Sequence, residues 1–328
     1  MKVLVTGADG FIGSHLAAEL VRRGAAVTAL ALYNSFDGHG WLDDLPADIR
    51  AGMELVRGDI RDAEHMTALC QGQEVVFHLA ALIAIPYSYM APSAYVQTNV
   101  QGTTNVLLAA RAAGVRRVVH TSTSEVYGTA LFTPITEEHP LQGQSPYSAS
   151  KIGADMMATS FARSFELPVI TLRPFNTYGP RQSERAIIST VIRQALDPAA
   201  DAIRVGDLRP KRDFTFVQDT AEAFLAVAGL GDEHVGKVFN GGTGRCVTME
   251  EVVTMIRRVA GCDKPVVQES ERMRPAASEV MTLLADWSAL NAASGWQPRH
   301  DLEQGLSQTV EWWRSRLDRL RPDLGYMR

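Results

Sequence analysis

The chain begins Lys2-Val3-Leu4-Val5-Thr6 and runs directly into Gly7-Ala8-Asp9-Gly10-Phe11-Ile12-Gly13. No other stretch restricts the fold as strongly. The apolar run reads as a strand buried on both faces, as in a parallel sheet. Ser14-His15-Leu16-Ala17-Ala18-Glu19-Leu20 follows with helical periodicity. Strand, glycine turn and helix in that order make a phosphate cradle. Gly7 permits a tight turn, Gly10 lets the backbone approach a pyrophosphate, and Gly13 lets helix and strand pack closely. An anion there would rest on the helix N-terminus, where unpaired N–H groups and the dipole favour it. A glycine triplet alone is weak evidence, but here it follows a strand and opens a helix, as the motif requires. A glycine-rich turn without a ligand is the alternative.

The rest of the chain repeats the alternation. Strands are expected at 26–32, 53–57, 74–78, 116–121 and 168–173, and long helices at 91–113 and 146–165. This is the pattern of an α/β, Rossmann-type doubly wound parallel sheet. At 328 residues the chain is long enough for a second, smaller unit. Residues 1–173 read as the dinucleotide-binding domain, with 217–242 returning to its sheet. Residues 174–216 and 243–328 read as a mixed α/β lid over the carboxyl ends of the strands, with 174–181 a loop and the last helix at 302–320. Such sheets bind ligands at that edge.

The second strand lacks the acid that usually takes the adenosine ribose at its end. Ala31 stands there, followed by Leu32-Tyr33-Asn34-Ser35. NAD and NADP therefore both remain open. Asn34 could bond either cofactor or simply serve the turn. Asp59, beside Ile60, could accept from the adenine amino group or cap the helix that follows. Leu79-Ala80-Ala81 would let the cofactor lie over the sheet edge. Asn99 lies on the 91–113 helix and joins the candidate cofactor contacts, whereas His78 reads as a core histidine.

Net charge of -5 argues against a nucleic-acid-binding surface. Cys70, Cys246 and Cys262 have no metal-type spacing and cannot all pair. No metal site is expected. No apolar run is long enough to span a membrane, so the expected location is cytoplasmic.

Two further stretches carry chemistry. Tyr147 and Lys151 are i and i+4 on one helix face, so a cation beside the phenol could lower its pKa toward neutrality. His120-Thr121-Ser122-Thr123-Ser124-Glu125-Val126-Tyr127-Gly128 reads as a strand end spilling into a polar loop. Glu125 would be a spare carboxylate for a second chemical step. Arg181, Arg212 and Arg274 are candidate grips for phosphate. Ala154, Met157, Ala158 and Phe161 form an apolar stripe on the 146–165 helix. The stripe would face either the core or a partner subunit, in a four-helix homodimer interface with the 91–113 helix.

These motifs resemble the nucleotide-sugar epimerases and dehydratases of the extended short-chain dehydrogenase/reductase family. The likeness spans nearly the whole chain. It rests on Thr6–Gly13, His78-Leu79-Ala80-Ala81, Thr123–Gly128, Tyr147-x-x-x-Lys151, Arg173-Pro174-Phe175-Asn176-x-Tyr178-Gly179-Pro180, Arg212-Asp213-Phe214 and Arg274-Pro275. The resemblance implies that Tyr147 is the base for the sugar C4 hydroxyl, with Lys151 lowering its pKa and holding the nicotinamide ribose. Thr123 would bond the same hydroxyl. Asn176, Arg212 and Arg274 would contact the substrate and its diphosphate. Thr123-Ser124-Glu125 stands where dTDP-glucose-type dehydratases carry Thr-Asp-Glu. Residues 121–130 and 140–147 are similar to dehydratases of nucleotide-linked N-acetylglucosamine. The implied reaction is 4,6-dehydration, with Glu125 as base and Ser124 as at most a proton relay. A C4 epimerase, a uronate decarboxylase, a 5,6-dehydratase and a non-catalytic dinucleotide sensor are the rivals.

Overall fold

The computed structural model describes residues 1–272 and 280–317. The elements run β1 (Lys2–Thr6), α1 (Phe11–Arg22), β2 (Ala26–Leu32), α2 (Ala47–Ala51), β3 (Met53–Gly58), α3 (Ala63–Cys70), β4 (Val75–His78), α4 (Ile85–Met90), α5 (Pro92–Tyr95), α6 (Thr103–Ala113), β5 (Arg117–Thr121) and α7 (Pro146–Phe165). They continue with β6 (Val169–Pro174), β7 (Asn176–Tyr178), α8 (Ile187–Leu196), β8 (Ile203–Val205), β9 (Lys211–Phe216), α9 (Val217–Ala228), β10 (Val238–Gly241), β11 (Cys246–Thr248), α10 (Met249–Ala260), β12 (Val266–Gln268), β13 (Thr282–Leu283), α11 (Ser288–Ser294) and α12 (Leu302–Arg314).

Seven strands form one sheet in the order β3-β2-β1-β4-β5-β6-β10, and every pairing is parallel. The order reverses between β1 and β4. Ligands of open α/β sheets bind at such a switch, outside the carboxyl ends of the strands. The strands are nearly continuous apolar runs because helices cover both faces. Leu16, Leu20, Phe224 and Val227 pack on one face, and Val106, Leu107, Ala158 and Phe161 on the other. Leu290 and Trp296 join the first of these clusters, so the segment around α11 packs against the main sheet's core. A separate core gathers Tyr178, Val191, Phe216, Val252, Ile256 and Val310 around β9.

Two expectations change here, and a third, left open between core and partner, falls to the core. Residues 174–181 are not all loop, since β7 pairs in parallel with β9, Asn176 opposite Phe214. The turn-forming residues gave no hint of that long-range partner. The 91–113 helix is interrupted by a π-helical turn, Val96–Gly102. The stripe on α7 faces inward, with Ala154 and Ala158 buried and Met157 packed beside Phe161 in the core. No helix among the described residues is long and apolar enough to cross a membrane.

Candidate active site

The carboxyl ends of β1, β4 and β5 open into one cleft of about 1140 Å³, roomy beside a drug-sized ligand site. Its floor at the switch point is bare backbone. Gly7 has φ +68°, and a Cβ there would lie 2.8 Å from the Ala80 nitrogen. A Cβ on Gly13 would lie 2.1 Å from the Gly7 carbonyl oxygen. Side chains at either position would close the cradle. A dinucleotide pyrophosphate therefore fits the residues present, with free N–H groups at the start of α1 facing it.

The reacting end is built by β5 and α7. Ser145 caps α7 by accepting from the Ser148 amide, and the Ser148 hydroxyl bonds back to the Ser145 N–H. Pro146 takes the first helical position, where its missing N–H costs nothing. This fixed start presents Tyr147 in the first turn and Lys151 one turn later, both at the cleft. Across from them β5 ends in a 3₁₀ turn, Ser124–Tyr127, with the Thr123 hydroxyl accepting from the Glu125 N–H at 3.2 Å. Thr123 and Glu125 both lie close enough to the Tyr147 phenol to act on its charge. The far end of the turn is anchored by Tyr127, whose hydroxyl donates to Asn240 Oδ1 at 2.7 Å and accepts from Arg173 at 3.0 Å.

The electrostatics differ from expectation in one respect. Burial pushes the Tyr147 phenol well above its ordinary value, the Thr123 hydroxyl pulls it back, and Glu125 adds to the rise. The Lys151 ammonium donates to the Thr121 carbonyl at 2.6 Å. Burial lowers the Lys151 pKa to about 8, against the pull of Asp155. The i, i+4 spacing puts phenol and amine on one face, but the lysine's nearest acceptor is the strand end.

Residues 4–309 match the family model described as GDP-mannose 4,6 dehydratase. The chain belongs to the nucleotide-sugar dehydratase and epimerase family of extended short-chain dehydrogenase/reductases. It is 34% identical to a UDP-glucose 4-epimerase of Mycolicibacterium smegmatis, over 96% of this chain and 99% of that one. It is 32% identical to a dTDP-glucose 4,6-dehydratase of Actinoplanes sp., over 96% and 98%. Among solved structures it resembles DesIV, a dTDP-glucose 4,6-dehydratase from Streptomyces venezuelae with NAD bound. The TM-score is 0.85 at 31% identity, covering 96% of this chain and 97% of that one.

Most residues singled out in this family member converge. Gly7, Gly10, Phe11, Ile12, Gly13, Asp59, Ile60, Leu79, Ala80 and Ala81 line one stretch of the cleft. Thr123, Ser124, Glu125, Tyr147, Lys151, Asn176 and Arg212 line the rest. Asn176 Oδ1 is buried without a hydrogen-bond partner among the described residues, a state that buried polar atoms rarely keep. Asp59 holds the Arg61 guanidinium through three bonds, at 3.0, 2.9 and 2.5 Å, while Asp62 caps α3.

Three residues fall outside the cleft lining. Asn34 bonds the Leu32 and Gly38 carbonyls and the Phe36 amide, so it closes a turn. Asn99, held inward by the π turn, accepts from the Leu82 amide and donates to the Leu82 carbonyl and the Ser150 hydroxyl. Its amide is spent on bracing the loop after β4. Arg181 donates to the Ser14 hydroxyl behind α1 at 3.1 Å. Arg274 lies outside the described residues. His78 is a core residue between the Thr6 and Thr103 hydroxyls. Sequence reasoning missed Arg185, Arg193, Arg204 and Arg272, which line the cleft from the turn before α8, α8 itself, β8 and the turn after β12. Isolated surface-type arginines give no signal until the fold gathers them. It also missed the carboxylate of Asp9.

Proposed function

We infer that this chain is an NAD-dependent nucleotide-sugar 4,6-dehydratase acting on a nucleotide-linked N-acetylglucosamine. The observation that carries the reaction type is Glu125, on the same turn as Thr123 and within electrostatic reach of the Tyr147 phenol. The relatives include C4 epimerases and 4,6-dehydratases, so the Glu125 carboxylate carries the choice. An epimerase needs only the phenol. The likeness of residues 121–130 and 140–147 to dehydratases of N-acetylglucosamine nucleotides supports the sugar.

NAD bound in the cleft supplies the hydride acceptor at sugar C4 and the hydride donor at C6. Tyr147 takes the C4 hydroxyl proton, and Thr123 holds that oxygen in line. The 4-ketone acidifies C5–H, which Glu125 removes as water leaves from C6. Ser124, buried on the same turn, is a poor acid and can only relay the proton. Asn176 and Arg212 hold the diphosphate.

Incubation with UDP-, GDP-, CDP- and dTDP-N-acetylglucosamine, with products weighed by mass spectrometry, tests the reading. Loss of one water supports it, and an isobaric product makes the chain an epimerase.

The proposal includes a homodimer. Val96, Leu108 and Met156 are about half exposed on adjoining helices of the 92–165 region. They differ from the inward stripe and form the face a second copy would cover. Sedimentation of the wild type and of Leu108→Glu checks this. A monomeric wild type rejects it.

A further inference from the structure

The end of β2 carries no acid, yet a carboxylate sits there. Asp9, between Gly7 and Gly10, turns back from the cradle and accepts from the Leu32 N–H through Oδ2 at 3.2 Å. Its own carbonyl accepts from Trp41 N–H at 3.0 Å, which fixes the loop on that side. Asp9 lines the cleft with Leu30, Leu32 and Gly58, the ends of β2 and β3. This is the place where a dinucleotide fold sets an acid against the adenosine ribose. The neighbouring cations are already neutralised. Arg61 is held by both oxygens of Asp59, and Arg57 by Asp37 and the Asp37 carbonyl.

We propose that Asp9 replaces the missing acid of β2: it accepts from the ribose 2′-hydroxyl of NAD and repels the 2′-phosphate of NADP. A carboxylate accepts several hydrogen bonds, so the Leu32 amide orients Asp9 without exhausting it. A dianionic phosphate in the same position would meet a fixed like charge, with Arg57 and Arg61 each already held by a carboxylate. The acid has moved from one edge of the pocket to another, from the strand end to the glycine turn. This rests on reading the cleft as a nicotinamide-dinucleotide site.

The test measures binding. Protein freed of co-purified nucleotide is titrated calorimetrically with NAD and NADP. Wild type is expected to favour NAD by about tenfold or more, the scale of one charge-assisted hydrogen bond. Asp9→Asn keeps an oxygen for the Leu32 amide but removes the charge, so NADP binding should strengthen and the preference shrink by about tenfold. Asp9→Glu should retain the preference. A second measurement needs no variant: ADP-ribose should compete with NAD better than its 2′-phosphate does. Equal affinities in the wild type, or an undiminished preference in Asp9→Asn, would overturn the assignment. Failure to bind either dinucleotide overturns the cofactor reading with it. Selective NAD binding without a dehydrated product overturns the reaction alone and leaves Asp9 standing.

Discussion

Tyr147 and Glu125 divide the proposed chemistry, and they can be separated by substitution. Tyr147→Phe removes the group proposed to take the C4 proton, so both halves of the reaction should fall by at least about a hundredfold. Glu125→Gln leaves the phenol, Thr123 and Lys151 in place. It should still oxidise C4, seen as absorbance of reduced nicotinamide on mixing with substrate. Dehydrated product should form about a hundredfold or more slowly. If Glu125→Gln makes product at the wild-type rate, the carboxylate is not the C5 base. These two residues were legible because short-range rules place them: an i, i+4 pair on a capped helix, and a polar run at a strand end. Asp9 was not. Its role depends on a side chain crossing from the β1–α1 turn to the end of β2, and spacing along the chain does not encode that reach. Asn99 is the reverse case: its place on a helix was legible, but its three bonds to Leu82 and Ser150 were not.

At the scale of elements, β5, β6 and α7 meet in a buried charge knot. Asp155, one turn beyond Lys151, accepts from Ser122 at 2.7 Å, from His120 at 3.1 Å and from Arg173 Nη2 at 2.9 Å. The His120 hydrogen bond and the Arg173 charge hold its carboxyl below the usual range despite burial. Arg173 passes the constraint to Tyr127 and so to the turn that carries Glu125. Asp155→Ala would leave the Arg173 guanidinium buried without its partner. Denaturant unfolding should show a loss of about 3–5 kcal/mol. Asp155→Ala with Arg173→Met should recover part of this, since the uncompensated charge is gone. An Asp155→Ala loss within experimental error would mean that the knot is already hydrated. The doubly wound parallel sheet was readable in advance, because strand and helix patterns alternate along the chain. The β7–β9 pairing was not, because three residues in a turn-rich segment carry too little pattern to specify a distant partner.

For the whole molecule, acid stability follows from a histidine that joins two regions. His15 on α1 bonds the Pro180 carbonyl at 2.9 Å, and the adjacent Arg181 donates to Ser14. Because a carbonyl can only accept, His15 Nε2 carries a proton and donates it to Pro180. Burial and the Arg181 charge lower its pKa to about 3 from 6.5. The unfolded chain takes up this proton as pH falls through about 6.5, and the folded chain does not until about 3. The unfolded state thus binds more protons across that window, and stability falls with falling pH. From pH 8 to pH 5 this residue alone should remove about 2 kcal/mol. His78 and His120, also lowered by burial, add the same sign. Asp9, Glu137 and Asp213, raised by burial, oppose it. Comparison with His15→Gln cancels those shared contributions, because glutamine keeps a donor for Pro180 and never charges. Urea unfolding at both pH values should show a smaller acid loss in His15→Gln by about 2 kcal/mol. Equal losses in the two proteins would mean that the ring is protonated in the fold, and the contact between α1 and the loop after β7 opens in acid before the chain unfolds.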